Sequence, residues 1–138
     1  MKNLLEYFTG LLILALMIFS VSAFADKTFF SQTKGNHING KLVYARCMAC
    51  HSLRYNRTGP KHCGLFGRKA GTVNNFDYSD AMRNSNIVWN KSTLDTFLSS
   101  PLKSIPGTSM GYAGVWNNND RADLISYLQQ VSHSEECK

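Results

Sequence analysis

The chain has 138 residues, 43% of them hydrophobic, and a formal net charge of +6 at pH 7. That length holds one domain at most. The basic balance favours acidic proteins, anionic membrane or nucleic acid as partners, but no Lys/Arg block interleaved with aromatics is present, which argues against nucleic acid.

Lys2 precedes an apolar run over residues 11–19, which closes on Ala23-Phe24-Ala25. This pattern predicts a secretory signal peptide over residues 1–25, cleaved after Ala25. The run is short of the ~20 apolar residues a full membrane span needs. Export permits disulfides and disfavours cytosolic thiol chemistry. The remaining chain is small enough to have a thin core, which a large apolar cofactor would help to fill.

Residues 26–36 are polar apart from Phe29 and Phe30 and read as a loose N-terminal arm, leaving 37–138 for the domain. Ile38, Leu42, Ala45 and Ala49 fall at helical spacing, a stripe running into the stretch CMACH at residues 47–51. Residues 52–73 are rich in Gly, Arg, Asn and Thr and read as a long loop, a kind that is usually functional. Ser92-Thr93-Leu94-Asp95 resembles a capping box, followed by an apolar face of Leu94, Phe97 and Leu98 up to Pro101. Residues 104–114 form a second irregular stretch. Asn118 or Asn119 then caps a last helix, with Asp120 and Asp123 at its positive end and a buried face of Leu124, Tyr127, Leu128 and Val131. With no useful β-alternation and no repeats, the fold class is all-α: helices at both ends, short ones between, and long loops.

CMACH admits three chemistries. A redox dithiol of Cys47 and Cys50 expects a βαβ setting, and no strand is near. A zinc site needs two further ligands at short spacing, where only His62 and Cys63 stand. Covalent haem attachment uses every member: two thiols for thioether bonds and His51 facing the iron.

With the stretches GKLVYARCMACH, TGPKHCGLFGRKAG, FDYSDAM, SIPGTSMGYAG and RADLISYL in this order, the chain resembles the class I cytochromes c. It is most similar to the mitochondrial-type soluble group and its bacterial periplasmic relatives. The resemblance implies the small class I fold around one haem c, attached through Cys47 and Cys50. It implies His51 and Met110 as the two iron ligands, with the Pro60 carbonyl orienting the ring of His51. Arg68, Tyr78 and Trp89 occupy the positions that donate to the haem propionates, buried charges that need partners. Gly40 and Tyr44 match the pair that packs against Leu124 and Tyr127.

Three departures stand out. Phe97 replaces a tyrosine whose hydroxyl reaches the methionine sulfur, and Met82 replaces an asparagine, which leaves Thr108 as the polar residue behind the haem. His62 takes a leucine position, as a hydrogen-bonded loop residue or as a rival ligand should Met110 be released. Cys63 and Cys137 remain once haem takes two cysteines. An even pair in an exported chain argues for a disulfide, with free thiols or intermolecular pairing as the alternatives.

With both axial positions filled by the protein, only outer-sphere electron transfer is left. The resemblance thus implies a monomeric periplasmic electron carrier and no enzyme. It would work between a cytochrome bc1-type complex or dehydrogenase and a terminal oxidase or reductase, meeting acidic docking surfaces of respiratory complexes and membrane only through them. The alternatives are a haem peroxidase or small-gas binder with a labile sixth ligand, and a dedicated subunit of one dehydrogenase complex. Arg46, Arg57 and Lys103 remain of the family's basic ring, while Leu102, Ser109, Trp116 and Asn117 stand at positions often occupied by lysine.

Overall fold

In the computed structural model, which describes residues 34–138, the chain enters through a helix cap. The expected signal peptide, and the arm up to residue 33, lie outside the described residues. Asn36 accepts the backbone N–H groups of Ile38 and Asn39, and so starts α1, His37–Tyr44. The short helices α2 (Asp80–Arg83), α3 (Lys91–Ser99) and α4 (Pro101–Ser104) follow after the long loop. The last helix, α5, spans Asn118–Val131, and a 3-10 turn at Glu135–Cys137 closes the chain. A lone antiparallel bridge, Lys69 to Val88, is the one sheet-like pairing among the described residues.

The terminal helices α1 and α5 pack against each other, as expected, and a glycine sets how closely. A Cβ at Gly40 would lie 1.9 Å from the Asp123 carbonyl oxygen and 2.8 Å from the Tyr127 Cβ. Only a residue without a side chain lets the two backbones meet there. Val43 and Tyr44 flank Gly40 on the buried face, and the Tyr44 and Tyr127 rings tilt together at 5.2 Å.

The apolar stripe predicted for this helix lies on its other face. Ile38 is 66% and Leu42 is 73% exposed, and Ala45 and Ala49 are exposed too. The docking of α5 decides which face is inside, and it takes the one that carries Gly40. The α-helix also stops at Tyr44, so the cysteine stretch lies in turns rather than on a continuing helix.

Two caps differ from expectation as well. Asn90, not Ser92, caps α3: its side chain accepts the Thr93 N–H at 2.9 Å, and the Thr93 hydroxyl oxygen accepts the Asn90 N–H at 2.9 Å. Asn117, not Asn118 or Asn119, caps α5, accepting from Asn119 and Asp120. In each case the helix begins one or two residues earlier than the pattern suggests, and the asparagine there takes the cap. Arg121 of α5, nearly buried, binds Asp95 of α3 at 2.7 Å and the Val115 carbonyl at 2.9 Å. Leu94, Phe97, Leu98, Leu124 and Leu128 fill the core between these helices.

Candidate haem site

A cavity of about 460 Å³ opens beside this core, within the size range of small-molecule and cofactor sites. Every residue predicted for the site lines it: Cys47, Cys50, His51, Pro60, Arg68, Tyr78, Trp89, Thr108 and Met110. They come from the turns after α1, the long loop, the lead-ins to α2 and α3, and the segment after α4. The remaining walls are apolar, with Leu65, Met82, Leu94, Phe97, Leu98, Leu124 and Leu128 prominent.

His51 is buried and its Nδ1 lies 2.8 Å from the Pro60 carbonyl oxygen. Burial lowers its pKa more than that hydrogen bond raises it. The ring is therefore neutral at pH 7. Nδ1–H donates to Pro60, and the lone pair sits on Nε2, free for a metal. Gly59 shapes the seat: an added Cβ there would lie 2.3 Å from His51 Cε1.

Cys47 and Cys50 are the cysteines outside any disulfide among the described residues. Burial pushes the Cys47 thiol up to about 11, against the pull of Arg46. Reactive dithiols need a lowered thiol pKa, so the redox reading finds no support here. Nor does the zinc reading, since no group of three His, Cys, Asp or Glu side chains converges among the described residues.

The far rim is held differently. Met110 is half-buried, and its backbone N–H meets the Thr108 hydroxyl at 3.4 Å. Thr108 is buried, and Phe97 and Met82 bring no hydroxyl or amide to this wall, as the sequence led us to expect. Trp89 is buried with Phe97 at 5.1 Å. Its indole N–H has no acceptor among the described residues, and no buried side-chain N or O there is left unpaired. The N–H thus keeps accessible surface beside the cavity. Arg68 gives two of its donors to the loop itself, to the carbonyls of Cys63 and Lys61, each at 3.0 Å. Three of the five N–H groups of a guanidinium then remain.

Cys63 and Cys137 are joined, with Cα atoms 5.3 Å apart and a sequence separation of 74. The free-thiol alternative is thereby set aside. His62 is the hydrogen-bonded loop residue that the sequence offered as one reading. Its ring stacks on His51 with centroids 4.3 Å apart, and Nδ1 is 3.1 Å from the Tyr44 hydroxyl. It therefore belongs to the histidine wall. Sequence reading gave no signal for this stack, because residues 51 and 62 meet only through the loop's return.

The donor set fits a covalently held haem: two thiols, an imidazole with a free nitrogen, a thioether sulfur, apolar walls and polar groups at the edge. The chain matches the family model for cytochrome c over residues 38–132. It is 44% identical to cytochrome c type-1 of Ascaris suum over 76% of this chain and 92% of that protein. It is 43% identical to cytochrome c2 of Rhodoplanes tepidamans, over 66% of this chain and 88% of that one. Among solved structures, cytochrome cH from Methylobacterium extorquens superposes with a TM-score of 0.68 at 34% identity, covering 70% of this chain and 99% of that one.

Proposed function

The chain belongs to the class I cytochrome c family, and from that premise we propose a periplasmic one-electron carrier with His51 and Met110 as its iron ligands. That it is an electron-transfer protein rather than an enzyme, with one haem c held through cysteine, follows from the family. The finer reading is ours. Cys47 and Cys50 form the two thioether bonds. The Pro60 carbonyl holds the His51 tautomer. Arg68, Tyr78 and Trp89 serve the propionates, and Thr108 supports the methionine segment. Haem c, once attached, supplies the one-electron iron couple.

The observation that carries this reading is the seat of His51. Its Nδ1 is committed to Pro60 and its Nε2 is free, within a cavity that Cys47, Cys50 and Met110 also line. Two protein ligands would leave no coordination position for substrate, so the residues' work is to hold the group, exclude water and present an edge to partners. The sequence pattern of residues 1–25, read as an export signal cleaved after Ala25, supports a periplasmic location. Small, charge-steered interfaces suit a monomeric shuttle between a bc1-type complex or dehydrogenase and a terminal oxidase or reductase.

An optical redox titration of the holoprotein tests the ligand set. A low-spin spectrum with a far-red sulfur-to-iron charge-transfer band in the oxidised form is expected, and Met110→Ala removes that band. A wild-type protein that is high-spin at neutral pH would sink the His51/Met110 assignment.

A further inference from the structure

His62 has no task in the reading above, yet the fold holds it tightly. Its backbone N–H donates to the Ser52 carbonyl at 3.0 Å. The next residue, Cys63, donates to Leu53 at 2.8 Å and is bridged to Cys137. The Tyr44 ring meets the His62 ring edge-on, with centroids 5.7 Å apart. An imidazole is mostly neutral at pH 7. The His62 Nδ1 lies 3.1 Å from the Tyr44 hydroxyl, and a neutral ring with its proton on Nε2 accepts from that hydroxyl.

We infer that His62 is a positioning residue for His51: it fixes the orientation of that ring and lowers the reduction potential of the haem bound there. The inference rests on His51 being an iron ligand. Three surfaces then confine the His51 ring. The Pro60 carbonyl fixes its tautomer at 2.8 Å. Gly59 lies so close that an added Cβ would touch the ring at 2.3 Å. His62 covers one face, its plane only 20° from parallel.

The third surface also acts electrically. An aromatic face is electron-rich and attracts positive charge. An imidazole shares more positive charge when its metal is oxidised, so the face of His62 favours the oxidised state. Leucine at 62 would fill similar space with no π face and no acceptor for Tyr44. Outer-shell partners of this kind tune both ligand orientation and potential.

The test compares wild-type holoprotein with His62→Leu and Tyr44→Phe, by redox titration and by NMR of the oxidised form. His62→Leu is expected to favour the reduced state about threefold, which is a rise of about 30 mV for a one-electron couple. Tyr44→Phe, which removes only the bond that anchors His62, moves the potential the same way and less. In His62→Leu the spread of the hyperfine-shifted haem methyl resonances changes as the His51 ring turns.

A residue that merely packs would alter the melting temperature and leave both readouts in place. An unchanged or lowered potential in His62→Leu overturns the inference, whatever the melting temperature does. If His62→Leu fails to load haem, Tyr44→Phe decides alone by the sign of its shift. Failure of the underlying ligand assignment would show separately, as a wild-type spectrum without the low-spin His/Met signature.

Discussion

The cavity has a histidine wall and a methionine wall, and the two are built to different standards. The loop over residues 52–73, which returns to His51, is cross-linked throughout. A disulfide ties it to the C-terminus, Arg68 gathers two of its carbonyls, and the Gly64 N–H donates to Ser132 beyond α5. The segment carrying Met110 has far less. Thr108 donates to Ile105 at 3.0 Å, Met110 approaches Thr108 at 3.4 Å, and Val115 donates to Leu98 at 2.7 Å. No hydroxyl from Phe97 or Met82 braces it. One ligand is set in a clamped frame and the other in a short strap, so the methionine side is the one that should yield first.

Removing the cross-link is the strongest way to break that contrast. Closing a loop with 74 residues of separation is worth about 4 kcal/mol on the chain-entropy account. The double variant Cys63→Ser, Cys137→Ser should lose stability of that order in guanidinium unfolding of the holoprotein. The charge-transfer band at neutral pH should survive, because the strap is untouched. A global midpoint equal to wild type would mean that the disulfide is not what holds the histidine wall.

Gly59→Ala attacks the same wall from inside. Its Cβ would collide with the His51 ring, and the ring is pinned by Pro60 on one side and His62 on another. Overpacking of this kind costs about 1–3 kcal/mol. Thermal melts and haem loading together check it, and a fully loaded variant of wild-type stability would show that the seat has slack. On the opposite wall, Thr108→Val removes the acceptor for the Met110 N–H at a cost of about 1 kcal/mol. Its signature is selective: the charge-transfer band should vanish at lower denaturant while the main unfolding midpoint hardly moves. If both transitions shift together, the strap is no looser than the frame.

How much of this was legible in the sequence follows the same division between local and long-range causes. Residues named by motif came together around one cavity, because a motif already encodes which parts of the chain meet. Periodicity did worse on α1. It chose Ile38 and Leu42 for their hydrophobicity, whereas the contact that orients the helix is made by Gly40, whose contribution is an absent side chain. Hydrophobic patterning cannot register that. The misplaced caps at Asn90 and Asn117 are errors of position, not of kind: each helix exists, and an asparagine one or two residues upstream takes the cap. For His62 a hydrogen bond was legible but its partners were not. Its partners, Tyr44 and His51, lie 18 and 11 residues away, and only the closed loop makes them neighbours.

The two walls also differ at their rims, and there the expected effect is smallest. Beside the cysteines stand Arg46 and Arg57, but Arg46 is paired with Asp120 at 3.1 Å and Arg57 donates to the Met48 carbonyl at 2.8 Å. The Met110 side has Ser109 and Tyr112 on the cavity and Leu102 and Trp116 in the adjoining segments, with Trp116 78% exposed. An exposed ion pair such as Arg46–Asp120 is worth under about 1 kcal/mol, yet its carboxylate offsets the charge that Arg46 offers an acidic partner. Electrostatic steering should therefore be present but shallow. Partner oxidation, measured by stopped flow, should slow as salt rises from low to physiological levels, since the Debye length shrinks towards ~8 Å. Asp120→Asn, which frees Arg46, should steepen that slope, and Trp116→Ala should lower the rate at every salt concentration without changing the slope. A rate that ignores salt in both wild type and Asp120→Asn would remove charge from the histidine-side rim, leaving the aromatic side as the whole of the docking surface.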